Sequence, residues 1–532
     1  SRAGADDMVP VIVQTRDEPS EQHLARLHGR GGTVKMRHHA FHGYSGSLPA
    51  GQIEAFADDP EVEHVSFDEP VRAHMDVAYQ AIGADRAFAD FGGLDGRGIG
   101  IALIDTGVEA HDDLMRARGF EQPLEVEVVG HEPGLADPFG HGTHVAGILN
   151  GNGADSSMPD AYRHFRGIAP GARLISIRAL AADGSGYSSD IITGIDWAIA
   201  HKDRYNIRVL NLSLGHPVYE SYVTDPLCRA ARAAVQAGIV VVAAAGNDGR
   251  IGSGYGTITV PGNEPSVITV GAMDDDNTVT TTDDVLAWYS SKGPTLVDLV
   301  VKPDIVAPGT WIVSLRAPHS YLDSTYHDLA LQVRDYRTND RIGDRDGAYY
   351  TLSGTSMAAP MVAGAAALML QKDPSLTPAT VKARLMKSAV KDDRLVFETG
   401  AGYLDIDAAL NAEGIATGAD SPQAVLGGDG YIYIQDTALI WGSGLIWGQS
   451  AVWGGAKGRV KCVPLAELGG EIVTADGAVW RSGGRVAARS AVDNDRVTGS
   501  TLIWGGAASI LPATTGTVDM LSAVWGNGKG RK

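Results

Sequence analysis

Cysteine is nearly absent from the sequence: Cys228 and Cys462 are the only two in 532 residues. That excludes a cysteine-based zinc site and any disulfide framework beyond a single bridge. Whether the two are bridged or free is left open. No apolar run reaches about eighteen residues, so no membrane span is expected. Basic residues are in the minority, 44 Lys and Arg against 64 Asp and Glu, for a net charge of -20. Such a chain lacks the basic patches a nucleic-acid partner requires, and plain solubility is the simpler meaning of its acidity. The chain starts at Ser1 with no apolar leader, which fits a signal already removed or a trimmed chain. There is no HExxH zinc motif. Asp-Thr-Gly occurs once, which counts against a pair of aspartates sharing a proton. What remains is 44% hydrophobic and 20% charged, an ordinary balance for two or three globular domains.

Three textures follow one another. Residues 1–75 read as a small α+β unit. MVPVIVQT is a β-branched strand, and SEQHLARLHGRGG is a helix with Ser20 as N-cap. Further strands and a second helix give a β-α-β-β-α-β order that suits a ferredoxin-like fold. Residues 76–414 alternate doubly apolar runs (IGIALID, RLISIRAL, IVVVAAAG, SVITVGAM) with helical stretches. Strands apolar on both faces belong inside a mostly parallel sheet covered by helices, a doubly wound α/β domain. Residues 415–532 carry ALIWGS, GLIWGQ and SAVWGG, which place Trp441, Trp447 and Trp453 six apart, with looser copies at Trp480, Trp504 and Trp525. An even period puts every Trp on one side of a strand, so a β-rich extension is expected. Its simplest role is a small β core. A surface or polymer partner gripped by the aromatics is the functional alternative.

Chemistry concentrates in three stretches of the middle region. GIALIDTGV ends a buried strand on Asp105. GHGTHVAGIL offers His141 and His144 at i and i+3. GTSMAAP sets Ser356 at the entrance of a long apolar helix, where N–H groups and the helix dipole favour negative charge. Alone, each has a bland meaning: a strand-end acid, a structural histidine, a capping serine. Together, in the order Asp, His, Ser, they resemble the subtilisin-like serine proteases over roughly residues 76–410.

The resemblance implies a subtilisin-like α/β fold and a secreted serine endopeptidase. Asp105 would orient His141, His141 would take the proton of Ser356, and Ser356 would attack a peptide carbonyl to form an acyl-enzyme. Asn247, in VVAAAGNDG, stands where the family places its side-chain oxyanion donor. By the same likeness Gly184, Ser185 and Gly186 would pair with one edge of an extended substrate, and Ser213, Leu214 and Gly215 with the other. Backbone pairing grips proteins and peptides of varied sequence. Thr259 falls near the floor of the primary pocket, where many relatives have glycine. Residues 1–75 resemble the inhibitory propeptide of a zymogen, the chain's own intramolecular inhibitor, removed by autocatalytic cleavage near Met75–Asp76. Its seven histidines (His23, His28, His38, His39, His42, His64, His74) suggest release that depends on pH.

Relatives often carry structural calcium. HDDL would supply Asp113, and the loop NGNGADSS would add Asn152 and Asp155 as oxygen donors. MDDDN, from Met273 to Asn277, is a weaker candidate. The segment from Ala317 to Tyr350 is longer than in simple relatives, and its mixed Asp and Arg suggest a solvated excursion at the cleft rim. A competing reading from another class makes the chain a catalytically silent binding or adhesion protein that uses the Trp-rich tail. Filled triad and oxyanion positions favour the enzyme.

Overall fold

The computed structural model describes residues 8–38, 42–67, 70–73, 81–115, 123–128, 136–275, 278–338, 346–392, 394–426 and 431–434, with four short strands after 462. The first unit runs β1 (Met8–Thr15), α1 (Glu21–Gly29), β2 (Thr33–His38), β3 (Gly43–Pro49), α2 (Ile53–Ala57) and β4 (Val62–Phe67). Its antiparallel sheet has the order β2-β3-β1-β4, as the sequence pattern anticipates. Val11, Val13, Leu27, Tyr44, Leu48 and Phe56 form its own buried core. The next strand, β5 (Pro70–Ala73), leaves this sheet and pairs elsewhere.

The second unit runs α3 (Ala84–Asp90), β6 (Gly100–Asp105), α4 (Asp112–Met115), β7 (Leu124–Glu127), α5 (His141–Asn150), β8 (Arg173–Arg178), β9 (Ser185–Tyr187), α6 (Ser188–Tyr205), β10 (Ile207–Leu212), β11 (Leu214–Gly215), α7 (Pro226–Gln236), β12 (Val240–Ala244) and β13 (Ile268–Asp274). Then come β14 (Val285–Leu286), β15 (Ile305–Pro308), β16 (Ile312–Leu315), α8 (Tyr321–Thr325), β17 (Ala330–Gln332), β18 (Asp346–Leu352), α9 (Thr355–Lys372), α10 (Pro378–Ser388), α11 (Val396–Thr399) and α12 (Ile406–Asn411).

The central sheet has the order β14-β13-β12-β10-β6-β8-β7, with β15 against β13. Every residue of β6 and of β12 is buried, which explains their unbroken apolar runs. The chain enters at β6, builds β8 and β7 on one side, then crosses to β10, β12 and β13 on the other. The direction of winding therefore switches between β6 and β10. Outside the carboxyl ends of strands at such a switch, a crevice forms. Helix α9 is buried from Thr355 to Leu370 and packs across β10, β12 and β13, so it needs apolar residues all round.

The packed body continues past the expected boundary at Gly414. Ala416, Ala419 and Ala424 join Val301, Ala383 and Met386 in one buried cluster. Val301 N donates to Pro422 O at 2.8 Å and Ala424 N to Leu299 O at 2.7 Å. Beneath this strap lies a buried ionic cluster. Asp304 accepts from Lys302 Nζ at 2.7 Å, Lys382 Nζ at 3.0 Å and Ser421 Oγ at 2.5 Å. Burial would raise the Asp304 carboxyl, but the two ammonium groups outweigh it and hold it below the usual range. Burial also pulls Lys382 down, to about 7. Further on, β19 (Ala424–Leu426), β20 (Tyr431–Ile434) and β21 (Val463–Pro464) pair in one sheet, and β22 (Ile472–Val473), β23 (Val479–Arg481) and β24 (Gly484–Val486) in another. Of the repeat tryptophans only Trp480, on β23, is described; Trp441, Trp447, Trp453, Trp504 and Trp525 lie outside the described residues.

Candidate active site

The carboxyl ends of three neighbouring strands converge on one rim. β6 ends on Asp105, β10 is followed by Ser213, and the turn after β12 carries Asn247. Their register holds these ends level, since Leu103 pairs with Asn211 and Leu212 with Ala243. Helix α5 begins at His141 and helix α9 places Ser356 as its second residue.

Asp105 is buried and its Oδ1 lies 2.6 Å from His141 Nδ1. The same oxygen accepts from Thr106 N at 2.8 Å. The small residues of HGTHVAG have a steric reason here. A Cβ on Gly142 would meet Gly107 O at 2.1 Å, so only glycine lets α5 approach the Asp105 turn. Gly140, the residue before His141, has φ 102°, a left-handed conformation that glycine adopts freely.

One further residue holds both turns, and the motifs gave no hint of it. Asp137 is fully buried and accepts four hydrogen bonds: Thr106 Oγ1 and Gly140 N at 2.7 Å each, Thr143 N and Thr143 Oγ1 at 2.8 Å each. Thr106 Oγ1 in turn accepts from Gly142 N at 2.8 Å. Asp137 thus bridges the Asp105 turn to the first turn of α5. Burial pushes its carboxyl above the ordinary range, and these donors pull it part of the way back.

Ser356 Oγ donates to Ser213 O at 3.1 Å, and Ser213 Oγ donates to Ser356 O at 2.5 Å. Asn247 Oδ1 accepts from Thr355 N at 2.9 Å and Thr355 Oγ1 at 3.1 Å. With the carbonyl end spent on Thr355, the amide Nδ2 is the donor end of Asn247. His144 does different work. Its Nε2 is shared between Tyr350 O at 3.1 Å and Ile312 O at 3.3 Å. Burial lowers its pKa to about 3, so it stays neutral and ties α5 to β16 and β18 rather than pairing with His141 on a metal.

The strand β5 lies between β9 and β11. Val71 pairs with Gly186 and Arg72 with Ser185 on one edge; Arg72 pairs with Gly215 and Ala73 with Leu214 on the other. Gly184, with φ 76°, turns the chain into β9. Thr259 is buried behind β11, with its Oγ1 3.3 Å from Ala245 O. The rest of the first unit docks on α6, on α7 and on the loop that precedes α7. Lys35 Nζ reaches Asp190 Oδ1 and Ser189 Oγ, both at 2.7 Å. His64 pairs with Glu220, which also accepts from Ser66 Oγ at 2.5 Å.

The expected cation loop is arranged differently from the sequence reading. Asp113 and Asp155 do meet, and His111 joins them, their ligating atoms lying within 4.8 Å. Asn152 does not join the set: its Oδ1 accepts from Ala154 N at 2.8 Å within its own turn. Both Asp113 oxygens accept protein donors, Asp155 N at 2.7 Å and Tyr349 Oη at 2.7 Å. Both imidazole nitrogens of His111 are also spent, on Asp113 N and Ala348 O at 3.0 Å. Calcium takes six to eight oxygen ligands. Two carboxylates beside an imidazole whose two nitrogens are already bonded offer too few free oxygens for that cage. Of MDDDN, Asn277 and the Asp276 beside it lie outside the described residues. Cys228 is a free thiol buried in α7, and Cys462 lies outside the described residues.

Comparison with known proteins decides the family. The profile of the Subtilase family matches residues 96–402. The chain belongs to the subtilase family. A peptidase inhibitor I9 profile matches residues 16–74, so this subtilase carries an N-terminal inhibitor-type propeptide domain. Serine protease AprX of Bacillus subtilis is 38% identical over 362 residues, 66% of this chain and 76% of that protein. Subtilisin E of the same species is 31% identical over 381 residues, 71% of this chain and 84% of that protein. In fold it is similar to fervidolysin from Fervidobacterium pennivorans, with a TM-score of 0.58 at 21% identity over 80% of this chain and 63% of that one. The chain is a subtilisin-like serine protease, and the silent-binder alternative is not favoured. Among the described residues no helix is long and apolar enough to cross a membrane.

Proposed function

We propose that this subtilase is an endopeptidase made as a zymogen, with Asp105, His141 and Ser356 as its triad. In this reading Asp105 holds His141 through Nδ1 and stabilises the imidazolium. His141 Nε2 takes the proton from Ser356 Oγ as it bonds to the peptide carbonyl carbon, and then passes it to the leaving amine. Water returns the serine by the reverse route. Asn247 Nδ2 and the Ser356 N–H steady the oxyanion. Gly184–Gly186 and Ser213–Gly215 hold the acyl side of the substrate, with Thr259 behind the primary pocket. The domains are the propeptide, expected at 1–75 and ending at the self-cleaved bond, the catalytic body after it, and an extension that starts beyond the strap rather than at 415. Action outside the cell is carried over from the family resemblance. The mature protein should therefore accumulate in the medium of producing cells.

One observation carries this reading: the last described strand of the propeptide domain, Pro70–Ala73, completes a sheet between β9 and β11. An extended substrate would use the same two edges. The expected Met75–Asp76 bond lies outside the described residues. The ladder on β11 runs Arg72–Gly215 and Ala73–Leu214, and one more residue in that register would meet Ser213, whose carbonyl accepts from Ser356 Oγ. That supports self-cleavage at His74–Met75, one bond earlier than the sequence reading. The test is purification of wild type beside Ser356→Ala, with fluorophosphonate labelling and N-terminal sequencing. Wild type should take the label and begin at Met75, and the variant should do neither. An unlabelled wild type that keeps its first 74 residues would refute the proposal.

A further inference from the structure

The segment around α8, in the stretch from 317 to 350, is wired to the turn that precedes His141. Tyr321 N donates to Pro138 O at 2.8 Å and Leu322 N to Phe139 O at 3.1 Å. The Tyr321 ring stacks on the Phe139 ring, centroids 5.6 Å apart and planes 8° from parallel. Helix α8 is itself pinned at its base. Arg316 makes a two-pronged contact with Asp323, at 2.6 and 3.0 Å, and Ser320 caps the helix. A Cβ on Gly140 would meet Ser320 Oγ at 2.5 Å, so the two segments are in close contact.

Phe139 points from this turn to strand β9. Three atoms of its ring lie 2.6 to 2.8 Å from where a Cβ on Gly184 would stand. The ring therefore fills the gap between the His141 turn and the substrate edge, and it is only 3% exposed. Tyr321 stays 41% exposed and extends this flat surface outward. In the register of β5, Arg72 lies opposite Ser185, and one more step in that register would bring Ala73 alongside Gly184. That residue precedes by one the position that faces Ser213 and Ser356.

We propose that the stacked pair of Phe139 and Tyr321 is a specificity wall: it restricts the second residue before the cleaved bond to small side chains. The proposal rests on the endopeptidase reading above and adds a substrate class to it. A pocket already filled by an aromatic ring has room for a methyl group and none for a branched or aromatic side chain. The propeptide offers Ala at this position. Tyr321 acts by backing Phe139: without it, the Phe139 ring can turn outward and open the gap.

The experiment uses two fluorogenic peptides copied from residues 71–74, Val-Arg-Ala-His and Val-Arg-Leu-His, each with an amide-linked reporter. Wild type, Tyr321→Ala and Tyr321→Phe are compared on the ratio of kcat/KM for the two. Wild type should prefer Ala by about tenfold or more, the scale on which a misfitting group is rejected by an apolar site. Tyr321→Ala should lower that ratio at least about fivefold, and Tyr321→Phe, which keeps the ring, should preserve it. If Tyr321→Ala takes up no fluorophosphonate, Tyr321→Leu replaces it. A wild-type ratio near one, or a ratio unmoved by loss of the ring, overturns the wall. A wild type that takes no label and cuts neither peptide sinks the endopeptidase reading, and the wall with it.

Discussion

Replacing Asp137 by Asn tests whether the triad's geometry depends on a residue outside it. Four donors converge on the Asp137 carboxylate: Thr106 Oγ1, Gly140 N, Thr143 N and Thr143 Oγ1. The amide keeps one acceptor oxygen, so two donors would face an NH2 group. A buried donor left unpaired costs about 1–3 kcal/mol, which gives about 2–6 kcal/mol for the pair. Two of the donors are hydroxyls, which can rotate to accept from the amide, so the lower end is expected, about 2–3 kcal/mol. Domain stabilities are about 5–15 kcal/mol, so Asn should fold and Ala, which strands all four donors, should not. Urea unfolding is best done in the Ser356→Ala background, which removes self-digestion. In the active background Asp137→Asn should lower kcat at least about tenfold with little change in KM, because the substrate edges at β9 and β11 are not touched. A stability loss under about 0.5 kcal/mol together with an unchanged kcat would refute the clamp.

Four further outcomes are expected. Asp304→Ala strands two buried ammonium groups and should cost about 3–5 kcal/mol by denaturant melt. Truncation after Gly414 should destabilise strongly where truncation after Leu426 does not, because the former removes Ser421 and the buried Ala416, Ala419 and Ala424. EGTA should leave the Tm within about 1 °C of that in calcium, since both Asp113 oxygens are already bonded; a shift of several degrees would show a cation site. Propeptide retention should weaken as pH rises. Burial pulls His64 down, but the Glu220 carboxylate outweighs it and leaves its pKa raised in the docked state. A raised histidine adds binding that is complete below the free value of about 6.5 and is lost as pH climbs through the docked value. Neighbouring Asp225, raised to about 7 by burial and by Glu220, is the other group titrating there, and Arg229 is the nearby cation. Dissociation of the cleaved propeptide followed from about pH 5.5 to 8.5 should accelerate, and His64→Gln should flatten the profile.

The proposed triad was legible because its residues sit in motifs whose neighbours have their own steric reasons. Gly142 is required by its contact with Gly107, and Gly140 by its left-handed φ. Such requirements leave a readable imprint on the sequence. Asp137 left none: it is one of 64 acidic residues, and only its burial between two turns sets it apart. Tyr321 was hidden for another reason. The stretch Ala317–Tyr350 reads as a charged, solvated excursion, yet Arg316 and Asp323 are buried partners that hold α8 against the cleft. Charge patterning does not tell a solvated face from an internal ion pair. The cation loop was legible in part: Asp113 and Asp155 do meet, and His111 joins them. Sequence could not show that Asp113 and Asn152 also accept local N–H and O–H donors.

Docking of the propeptide domain separates two kinds of recognition that a sequence reading merges. In the cleft, β5 offers main-chain pairing to β9 and β11, which any extended peptide could supply. Those contacts cannot distinguish the enzyme's own propeptide from a substrate. On α6, α7 and the loop before α7 the contacts are side chain to side chain: Lys35 with Asp190, His64 and Ser66 with Glu220, and Gln14 with Arg229. These are specific to this pair of surfaces, and a short substrate never reaches them. Preference for the propeptide over a passing peptide with the same cleft residues must therefore reside outside the cleft. Weakening the helix contacts should convert a lasting inhibitor into one that is soon released, with the cleft itself unaltered.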